Sequence, residues 1–498
     1  MINKYRCKKH KKAIVIGIDA ATYNIINYLI NKGKLRTFKK LMENGFAGIL
    51  KSCDPPITFP AWKCLTTGLN PGNLGVYSFY VWDKTKNEIH FVSSRDFKAK
   101  DLWDYLGLHG YKVAVINVPG TFPPKKINGY MISGHFAFDD KKYTYPSELK
   151  DFLIRRFNYK VEFIRDFKTT DKRELIQDAI EIVKTRFEVT KHFISEKNVD
   201  FVFTVVFLTD AFEHYFWNEL PENGNPIEKL YEALDTELRE LMGIVDDMGF
   251  NLFLVSDHGM CEKKMEFELN TWLYLKNYLR LKKNVFKKNP MMQILQKLIK
   301  KINLNSKIAT KLIKFLSPKE IYKIADYFQQ KEKLSDVSLF DFIDWDISSA
   351  FALGHNCIYV LKKNYEIIED LVRHLSELKD PKTGNRIFRR IKLRNEAYGE
   401  NCLGNPPDII LIPDYGYLAN SKISKGLNPY DYLMDEWVAV HDYDGIFISY
   451  GSDIENNVKS QTRTFHICDV TPTILNLYGL SAQGLDGEPR SEIFKSKG

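Results

Sequence analysis

Short apolar runs rich in β-branched residues recur along the sequence and alternate with longer amphipathic stretches. The runs are AIVIGID (13–19), KVAVINVPG (112–120), DFVFTVVFLTD (200–210), NLFLVSDHG (251–259), PDIILIPD (407–414) and GIFISYG (445–451). Between them, apolar residues near the 3.6-residue period predict helices, for example over 172–196 and 365–378. This alternation predicts an α/β fold whose central sheet is mostly parallel and flanked by helices on both faces.

One long segment interrupts the alternation and predicts an insertion into a single core. Residues 270 to about 341 lack strand signals and are rich in lysine. We therefore expect core residues at 1–269 and 401–498, and a helical or mixed cap at 270–400 that is helical and Lys-rich in its first half. The apolar segment DVTPTILNLYGL (469–480) is expected to form a helix that closes the core.

The positive charge of the chain is local. The net charge is +9, and residues 280–319 hold twelve Lys or Arg and no Asp or Glu, which leaves −3 for the rest. A nucleic-acid partner is therefore not expected. Within this stretch, the apolar residues of 291–316 recur at helical spacing. That pattern predicts either a cap helix with a solvated lysine face or an interfacial helix in peripheral contact with a membrane.

Cysteine usage and the first residues bear on the compartment. The seven cysteines show no paired spacing such as C-x-x-C, and their odd number favours reduced thiols. The basic start and the apolar run after it are similar to a secretory signal, but Asp19 interrupts that run early. No other segment has the roughly 20 apolar residues that span a bilayer. We expect a cytoplasmic protein.

Three of the predicted strands end on an aspartate, namely Asp19, Asp210 and Asp257. Open α/β sheets bind ligands at the carboxyl ends of their strands. A single Asp after a strand is often only a helix N-cap. Three such residues, two of them with a histidine nearby, instead favour one shared binding site.

The residues around two of these aspartates are typical of metal ligands. Asp210 and His214 are four residues apart, so a helix starting there would place both on one face. Asp257 and His258 are adjacent, and Gly259 would permit a tight exit that leaves both side chains in the cleft. Mixed carboxylate and imidazole ligands suit Zn²⁺, with Mn²⁺ and Fe²⁺ as alternatives. Two such ions would form the clamp used in phosphoryl displacement.

The segment DPPITFPAWKCLTTG contains a candidate nucleophile, Thr58. Two prolines precede it, and Pro60 is suited to the first turn of a helix. Thr58 would then lie at a helix N-terminus, where backbone N–H groups and the helix dipole favour a phosphate. The alternative role for Thr58 is that of an ordinary N-cap.

Ordered motifs make the chain similar to a known family. They are ID (18–19), ITFPAW (57–62), TTGLNPGNLGVYSF (66–79), TDAFEH (209–214), SDHG (256–259), VPGTFPPKKINGYMISG (118–134), IDWDISSAFALG (343–354) and DVTPTILNLYGLSAQGLDG (469–487). They resemble motifs of the type I phosphodiesterase and nucleotide pyrophosphatase family in the alkaline phosphatase superfamily, and the last three resemble its prokaryotic members. The resemblance spans nearly the whole chain. It implies an alkaline-phosphatase-like fold and a hydrolase of small phosphodiesters or pyrophosphates.

The resemblance also implies roles for individual residues. One divalent ion would be bound by Asp210, His214 and His441. A second would be bound by Asp19, Asp257, His258 and the Thr58 oxygen. Thr58 would attack phosphorus and form a phosphothreonine that water then hydrolyses, with net retention of configuration.

Some positions depart from the family pattern. In nucleotide-cleaving relatives an Asn after the TG-x-x-P-x-x-x-G stretch holds a phosphate oxygen, whereas this chain has Ser78 and Phe79 there. Weak activity on nucleotides is therefore expected. His441 stands in AVHD where many relatives read G-S-H or G-T-H, and His466 in RTFHICD is the competing candidate for the last ligand. A buried or capping role is the simpler explanation for His466.

Other functions on this fold are less well supported. A sulfatase needs Cys or Ser in a C/S-x-P-x-R context, which TFPAW (58–62) lacks. A cofactor-independent phosphoglycerate mutase would use a serine nucleophile and a second inserted domain. A phosphomonoesterase, a hydrolase of lipid or polar-headgroup phosphates, and an inert scaffold remain as alternatives. The sequence leaves the substrate, the metal and the oligomeric state open.

Overall fold

The computed structural model of the protein describes residues 11–134, 142–163, 165–282, 339–340, 342–361, 364–423, 427–434, 437–456 and 463–495. These residues form two compact units. The first draws on residues 1–75, 92–262 and 436–498, and the second on 76–91 and 263–435. The expected core and cap bounds at 269/270 and 400/401 differ from these divisions and stay a prediction about domain organisation.

The described strands and helices are numbered along the chain. The strands are β1 (Ala13–Ile18), β2 (Phe46–Lys51), β3 (Tyr80–Asp83), β4 (Glu88–Phe91), β5 (Val113–Val118), β6 (Gly129–Ser133), β7 (Thr144–Tyr145), β8 (Phe201–Val206), β9 (Asn251–Val255), β10 (Gly259–Glu262), β11 (Met265–Glu268), β12 (Ala350–Ala352), β13 (Cys357–Val360), β14 (Phe388–Leu393), β15 (Ile409–Pro413), β16 (Tyr417–Asn420), β17 (Tyr430–Asp431), β18 (Ala439–Asp442), β19 (Asp444–Gly451) and β20 (Thr464–His466). The helices are α1 (Tyr23–Asn31), α2 (Arg36–Glu43), α3 (Thr58–Thr67), α4 (Pro71–Leu74), α5 (Leu102–Leu108), α6 (Leu149–Phe157), α7 (Lys172–Ser195), α8 (Leu208–Phe216), α9 (Pro226–Met248), α10 (Leu269–Leu275), α11 (Tyr365–Ser376), α12 (Arg394–Tyr398) and α13 (Val470–Leu477).

The central sheet belongs to the first unit. Its nine strands lie in the order β20-β2-β19-β9-β1-β8-β5-β6-β7. Strands β9, β1, β8, β5 and β6 are parallel to one another, and β20 is parallel to β2. By contrast, β19 is antiparallel to both of its neighbours, and β7 is antiparallel to β6. The predicted α/β fold with a mostly parallel sheet is confirmed, and GIFISYG forms an antiparallel strand within it.

Helices cover both faces of this sheet. Every residue of β1, β5, β8 and β9 is buried, as expected for strands that are packed on two sides. On one face, Ile14, Ile16 and Ile18 belong to the same core cluster as apolar residues of α1, α2, α7, α8 and α9. On the other face, Trp62 of α3 and Trp103 of α5 both pack edge-on against Phe203 of β8. Each large apolar side chain buried in this way contributes about 1.5–3 kcal/mol.

The long helices begin and end at residues suited to those positions. The Asp171 side chain accepts a hydrogen bond from the Arg173 backbone N–H and caps α7, which matches the helix predicted over 172–196. Helix α9 is capped by Asn225, starts with a proline and ends at Gly249, whose φ of 68° suits glycine. The predicted closing helix of 469–480 corresponds to α13.

The second unit contains smaller sheets with the strand orders β16-β11-β17, β12-β13-β15-β14 and β3-β4. The run PDIILIPD forms β15, which is antiparallel to β13 and β14 and lies outside the central sheet. An apolar run alone does not distinguish these two settings, because β15 is as fully buried as the central strands. Helix α11 corresponds to the stretch predicted over 365–378.

The Lys-rich part of the predicted cap falls largely outside the described residues, which resume at 339 after 282. The segment 291–316 lies in this gap, so its cap-helix and interfacial-helix interpretations both stay predictions. In the part of the chain that the structure describes, none of the helices has the length and apolar character needed to cross a bilayer.

Candidate metal centre and nucleophile

The three aspartates predicted to share a site follow three adjacent strands. Strands β9, β1 and β8 are parallel neighbours, so their carboxyl ends meet at one edge of the sheet. Asp19 directly follows β1, and Asp257 lies shortly after β9. Asp210 does not end a strand as expected from the sequence, because the chain enters α8 at Leu208 and places Asp210 in the first turn of that helix.

One group of potential ligands consists of Asp210, His214 and His441. The Asp210 Oδ1 atom lies 3.4 Å from His214 Nε2 and 3.2 Å from His441 Nε2, and the two Nε2 atoms are 3.1 Å apart. The Nδ1 atom of His214 lies 2.8 Å from the Ala439 carbonyl oxygen, and that of His441 lies 2.8 Å from the Pro56 carbonyl oxygen. A carbonyl only accepts hydrogen bonds, so in each neutral ring Nδ1 carries the hydrogen and Nε2 offers its lone pair to the group.

A second group consists of Asp19, Asp257 and His258. The His258 Nε2 atom lies 3.2 Å from Asp257 Oδ2 and 3.7 Å from Asp19 Oδ1. Each carboxylate uses its other oxygen elsewhere. Asp19 Oδ2 accepts a hydrogen bond of 2.8 Å from the indole N–H of Trp62, and Asp257 Oδ1 accepts one of 3.3 Å from the Ala20 backbone N–H. One oxygen of each carboxylate is thus left to face the group.

The two groups are continuous. The rings of His258 and His441 stack with their centroids 3.7 Å apart, and Asp210, His258 and His441 also present ligand atoms within 4.8 Å of one another. Pairing of β10 with β18 sets this arrangement, since Met260 lies opposite His441 in the antiparallel register. Segments about 180 residues apart therefore bring their histidines together.

Gly259 contributes to this pairing in a different way from the one expected. Gly259 begins β10 and does not have a positive φ, so the chain does not make the expected glycine-dependent tight turn after Asp257 and His258. A Cβ atom at this position would lie 2.2 Å from the Asp444 carbonyl oxygen. Glycine is required because the Gly259 backbone approaches the Asp444 carbonyl oxygen at the start of β19 closely.

The cluster consists of buried acceptors. Among the described residues, none donates a hydrogen bond to Asp19 Oδ1, Asp210 Oδ1, Asp257 Oδ2 or His258 Nε2. Burial raises the pKa of Asp19 well above its ordinary value, and the nearby carboxylates of Asp257 and Asp210 raise it further. Burial and the Asp210 carboxylate likewise raise the pKa of Asp257, while burial lowers the pKa of His258 and favours the neutral ring. Buried acceptors without a hydrogen-bond partner are costly. The same carboxylate oxygens and imidazole nitrogens are suitable ligands for a divalent cation.

Thr58 is the first residue of α3 and is 2% exposed. The chain on either side of it contacts both groups of potential ligands. Two residues before Thr58, the Pro56 carbonyl oxygen lies against His441, and four residues after it, the Trp62 indole donates to Asp19. The predicted nucleophile therefore lies on a segment held between the two groups, at the start of a helix.

The competing histidine lies in a different environment. His466 precedes a short 3₁₀ turn at Ile467–Asp469, and its Nδ1 atom accepts a hydrogen bond of 3.4 Å from the Cys468 backbone N–H. This is a capping contact. The structure brings His441, and not His466, next to Asp210 and His214.

Sequence reasoning missed the groups that orient the potential ligands. Trp62 lies within the quoted motif ITFPAW, but no pattern in the sequence indicated that its indole would reach Asp19. The carbonyl groups of Pro56 and Ala439 belong to the backbone, so no residue type in the sequence could indicate their role.

Ser78 and Phe79, the two residues that depart from the family pattern, belong to the second unit. The Phe79 ring lies 6.4 Å from the ring of Phe91.

Fold and site together define an α/β protein of the alkaline-phosphatase-like class. Murine ectonucleotide pyrophosphatase / phosphodiesterase 5 matches with a TM-score of 0.53 and 12% identity over 97% of this chain and 100% of its own. Phosphonoacetate hydrolase from Sinorhizobium meliloti 1021 matches with a TM-score of 0.59 and 13% identity over 95% and 96%. At these identities the likeness concerns the fold. A comparison with curated protein sequences gives no match.

The family is shown by the sequence itself. The model of the family described as type I phosphodiesterase / nucleotide pyrophosphatase matches residues 13–444. The chain therefore belongs to this family, as its motifs predicted. Members are metal-dependent, and membership supports a phosphoester hydrolase.

Proposed function

We propose that this protein is a phosphodiesterase or pyrophosphatase that uses two divalent metal ions and a phosphothreonine intermediate on Thr58. The observation that carries the proposal is the buried cluster at the carboxyl ends of β9, β1 and β8, in which one oxygen each of Asp19, Asp210 and Asp257 and the Nε2 atom of His258 receive no hydrogen bond from the described residues. Such a cluster suits divalent cations, and Thr58 begins the helix whose Trp62 contacts it.

The seven candidate ligands divide into two sets. One ion would be held by Asp210, His214 and His441, and the other by Asp19, Asp257, His258 and the Thr58 oxygen. Zn²⁺ is our proposed metal because mixed imidazole and carboxylate donors suit it, with Mn²⁺ and Fe²⁺ as alternatives. Bound ions of this kind supply positive charge that stabilises phosphate oxygens and favours an ionised nucleophile.

In the first proposed step, the Thr58 hydroxyl gives up its proton as Oγ1 forms a bond to phosphorus. The bond from phosphorus to the leaving-group oxygen breaks, and the leaving group takes up a proton. The N-terminus of α3 favours the negative charge of the phosphoryl group at this position. In the second step, water attacks the phosphothreonine and releases the phosphorylated product, which restores the Thr58 hydroxyl. Two in-line displacements retain the configuration at phosphorus.

The proposed substrates are small and contain phosphorus. The phosphonoacetate hydrolase was solved with phosphonoformate, and an inactive threonine-to-alanine variant of the murine phosphodiesterase was solved with AMP. AMP and related nucleotides are expected to be weak ligands of this chain, because Phe79 stands where nucleotide-cleaving relatives carry the phosphate-holding Asn. After small phosphodiesters and pyrophosphates, the alternative substrates are phosphomonoesters and polar-headgroup phosphates.

A hydrolysis screen tests the proposal. The purified chain would be assayed on a nitrophenyl diester, a nitrophenyl monoester, pyrophosphate and ATP, each with Zn²⁺, Mn²⁺ or Fe²⁺. Thr58→Ala should lose several orders of magnitude in turnover while keeping its metal, whereas Thr58→Ser keeps a hydroxyl and should retain more activity. Thr58→Ala activity above about a tenth of wild type would exclude Thr58 as nucleophile. Tight metal binding without hydrolysis of any substrate would favour an inert scaffold.

A further inference from the structure

A cavity of about 190 Å³ lies in the first unit, beside the helix that carries Asp210 and His214. Its wall is formed by the ends of β5 and β8, by helices α7 and α8, and by residues 161–163 and Phe167 between α6 and α7. Most of the surrounding side chains are apolar, including those of Phe163, Phe167, Ile182, Val205, Leu208 and Ala211.

The cavity is separate from the candidate metal centre. Helical spacing places Leu208 and Ala211, which line the cavity, on a different face of α8 from Asp210 and His214. Phe167 closes one side, where its ring stacks on that of Tyr215 at 4.6 Å. The cavity therefore needs an explanation of its own.

Arg186 is the cationic group of this cavity. The residue is 4% exposed, and its guanidinium lies 4.3 Å from the centre of the Tyr159 ring. Its Nη2 atom donates to the carbonyl oxygens of Lys160 and Val161, at 2.6 Å and 2.8 Å. Within the described part of the chain, the Nη1 atom has no acceptor. A buried donor of this kind costs about 1–3 kcal/mol unless an acceptor reaches it.

The polar side of the cavity is held in place by further contacts. Asn117 lies at the end of β5 with a φ of 57°, which asparagine tolerates better than most residues. Its Nδ2 donates to the Val161 carbonyl oxygen at 3.1 Å, and its Oδ1 accepts from the Tyr159 hydroxyl. The segment that positions the Arg186 guanidinium is thus fixed before any ligand arrives.

We propose that this cavity binds a small monocarboxylate with an apolar body, with its carboxylate on Arg186 Nη1. Cavities of roughly 150 Å³ lined by apolar residues hold one benzene ring, so this one has room for a molecule of about the size of benzoate. Arginine pairs well with planar carboxylates. Glu162 lines the same cavity, and its carboxylate repels an anionic ligand, so a dianion such as phosphate is disfavoured more strongly than a monocarboxylate.

Benzoate is the probe for a test on the full chain. Binding would be followed by calorimetry and by NMR shifts of the Val205 and Leu208 methyl groups. Arg186→Gln should weaken benzoate binding by about tenfold or more, since it removes a charge-assisted hydrogen bond. Arg173→Gln, an exposed arginine on the same helix, should leave binding unchanged. Ala211→Leu, which fills the cavity and keeps Arg186, should abolish it.

Several outcomes would overturn the proposal. Toluene binding as tightly as benzoate would mean that the cavity is merely apolar, and no binding at millimolar benzoate would mean that water suffices to fill it. Equal binding by wild type and Arg186→Gln would remove the role of the guanidinium. If Arg186→Gln fails to fold, the Ala211→Leu variant provides the test. Benzoate binding by that variant would show that the ligand binds outside the cavity and would refute the proposal. None of these readouts depends on hydrolysis, so the inference stands or falls independently of the proposed function.

Discussion

The hydrogen bond from Trp62 to Asp19 offers a direct way to test the candidate metal centre without removing a ligand. The Trp62 indole is fully buried and donates to Asp19 Oδ2 at 2.8 Å, while Oδ1 of the same carboxylate faces His258. Trp62→Phe keeps an aromatic ring in the core and deletes the donor. If Asp19 binds a metal ion, the carboxylate then loses the contact that orients it.

The expected magnitude follows from the type of hydrogen bond. A hydrogen bond to a charged group contributes about 1.5–3 kcal/mol, which corresponds to about tenfold to a hundredfold in an equilibrium constant. Loss of a group that orients a metal ligand typically lowers metal affinity by the same 10–100-fold range. We therefore expect Trp62→Phe to weaken Zn²⁺ binding at one of two sites by about tenfold to a hundredfold, with a parallel loss in kcat/KM.

Trp103 provides a matched control. It is also fully buried, and its ring lies 6.3 Å from that of Phe203, where the Trp62 ring lies 6.2 Å away. Within the described residues, the Trp103 indole N–H has no acceptor. Trp103→Phe therefore loses the same atoms from the same face of β8 without losing a hydrogen bond.

The assay is competition for Zn²⁺ between each variant and a chromophoric chelator, with steady-state kinetics on the best substrate. Both variants leave a comparable cavity, so the difference between them isolates the indole donor. If Trp62→Phe weakens zinc binding no more than Trp103→Phe does, Asp19 is not a metal ligand oriented by this contact, and the reasoning is refuted.

Three further predictions concern the last ligand, the substrate and the packing of β1. His441→Ala should retain about one tightly held metal per chain and abolish hydrolysis, whereas His466→Ala should keep both metals; the reverse metal content by plasma mass spectrometry would move the site to His466. Phe79→Asn should raise diesterase activity towards nucleotide-like compounds, an expectation contradicted if the native enzyme already cleaves nucleoside triphosphates efficiently. Gly17→Ala should destabilise the chain by about 1–3 kcal/mol in denaturant unfolding, because the new Cβ would lie 2.3 Å from a tryptophan ring carbon. Gly243→Ala, in α9, should stabilise the chain by about 0.5–1 kcal/mol, because no described atom outside the adjacent turns of that helix lies within 4 Å of the added Cβ; equal effects of the two changes would contradict this account.

Patterns of apolar and polar residues within short segments predicted the strands and the helix faces of the fold. AIVIGID became the fully buried β1 followed by Asp19, because an all-apolar run bounded by a polar residue suits a strand covered on both faces. Asp210 and His214 share the buried face of α8, since residues four apart lie one turn away from each other. These features need only the periods of strands and helices.

The remaining features arise from contacts between distant segments, which no local pattern encodes. His441 reaches Asp210 because β18 pairs with β10, and its orientation depends on the carbonyl oxygen of Pro56. The placement of β15 in an antiparallel sheet is set by its partner strands. Arg186 lies in an amphipathic helix, where a charged residue is normally solvated, yet its guanidinium is buried against Tyr159.

The candidate metal centre is also the place where the chain departs from the rules that govern the rest of its core. Elsewhere on the described strands of the central sheet, buried positions are apolar or carry uncharged polar groups such as those of Thr204 and Ser449. By contrast, Asp19, Asp257 and His258 are each 0% exposed and present acceptors to one another. This arrangement opposes folding, because each unpaired buried acceptor costs free energy. The packed strands β1, β8 and β9 hold the residues together in spite of that cost. A divalent cation would replace the repulsion between these groups with coordination. Because the packed strands already hold the ligands in place, the stability lost by confining them would be offset when the ion binds.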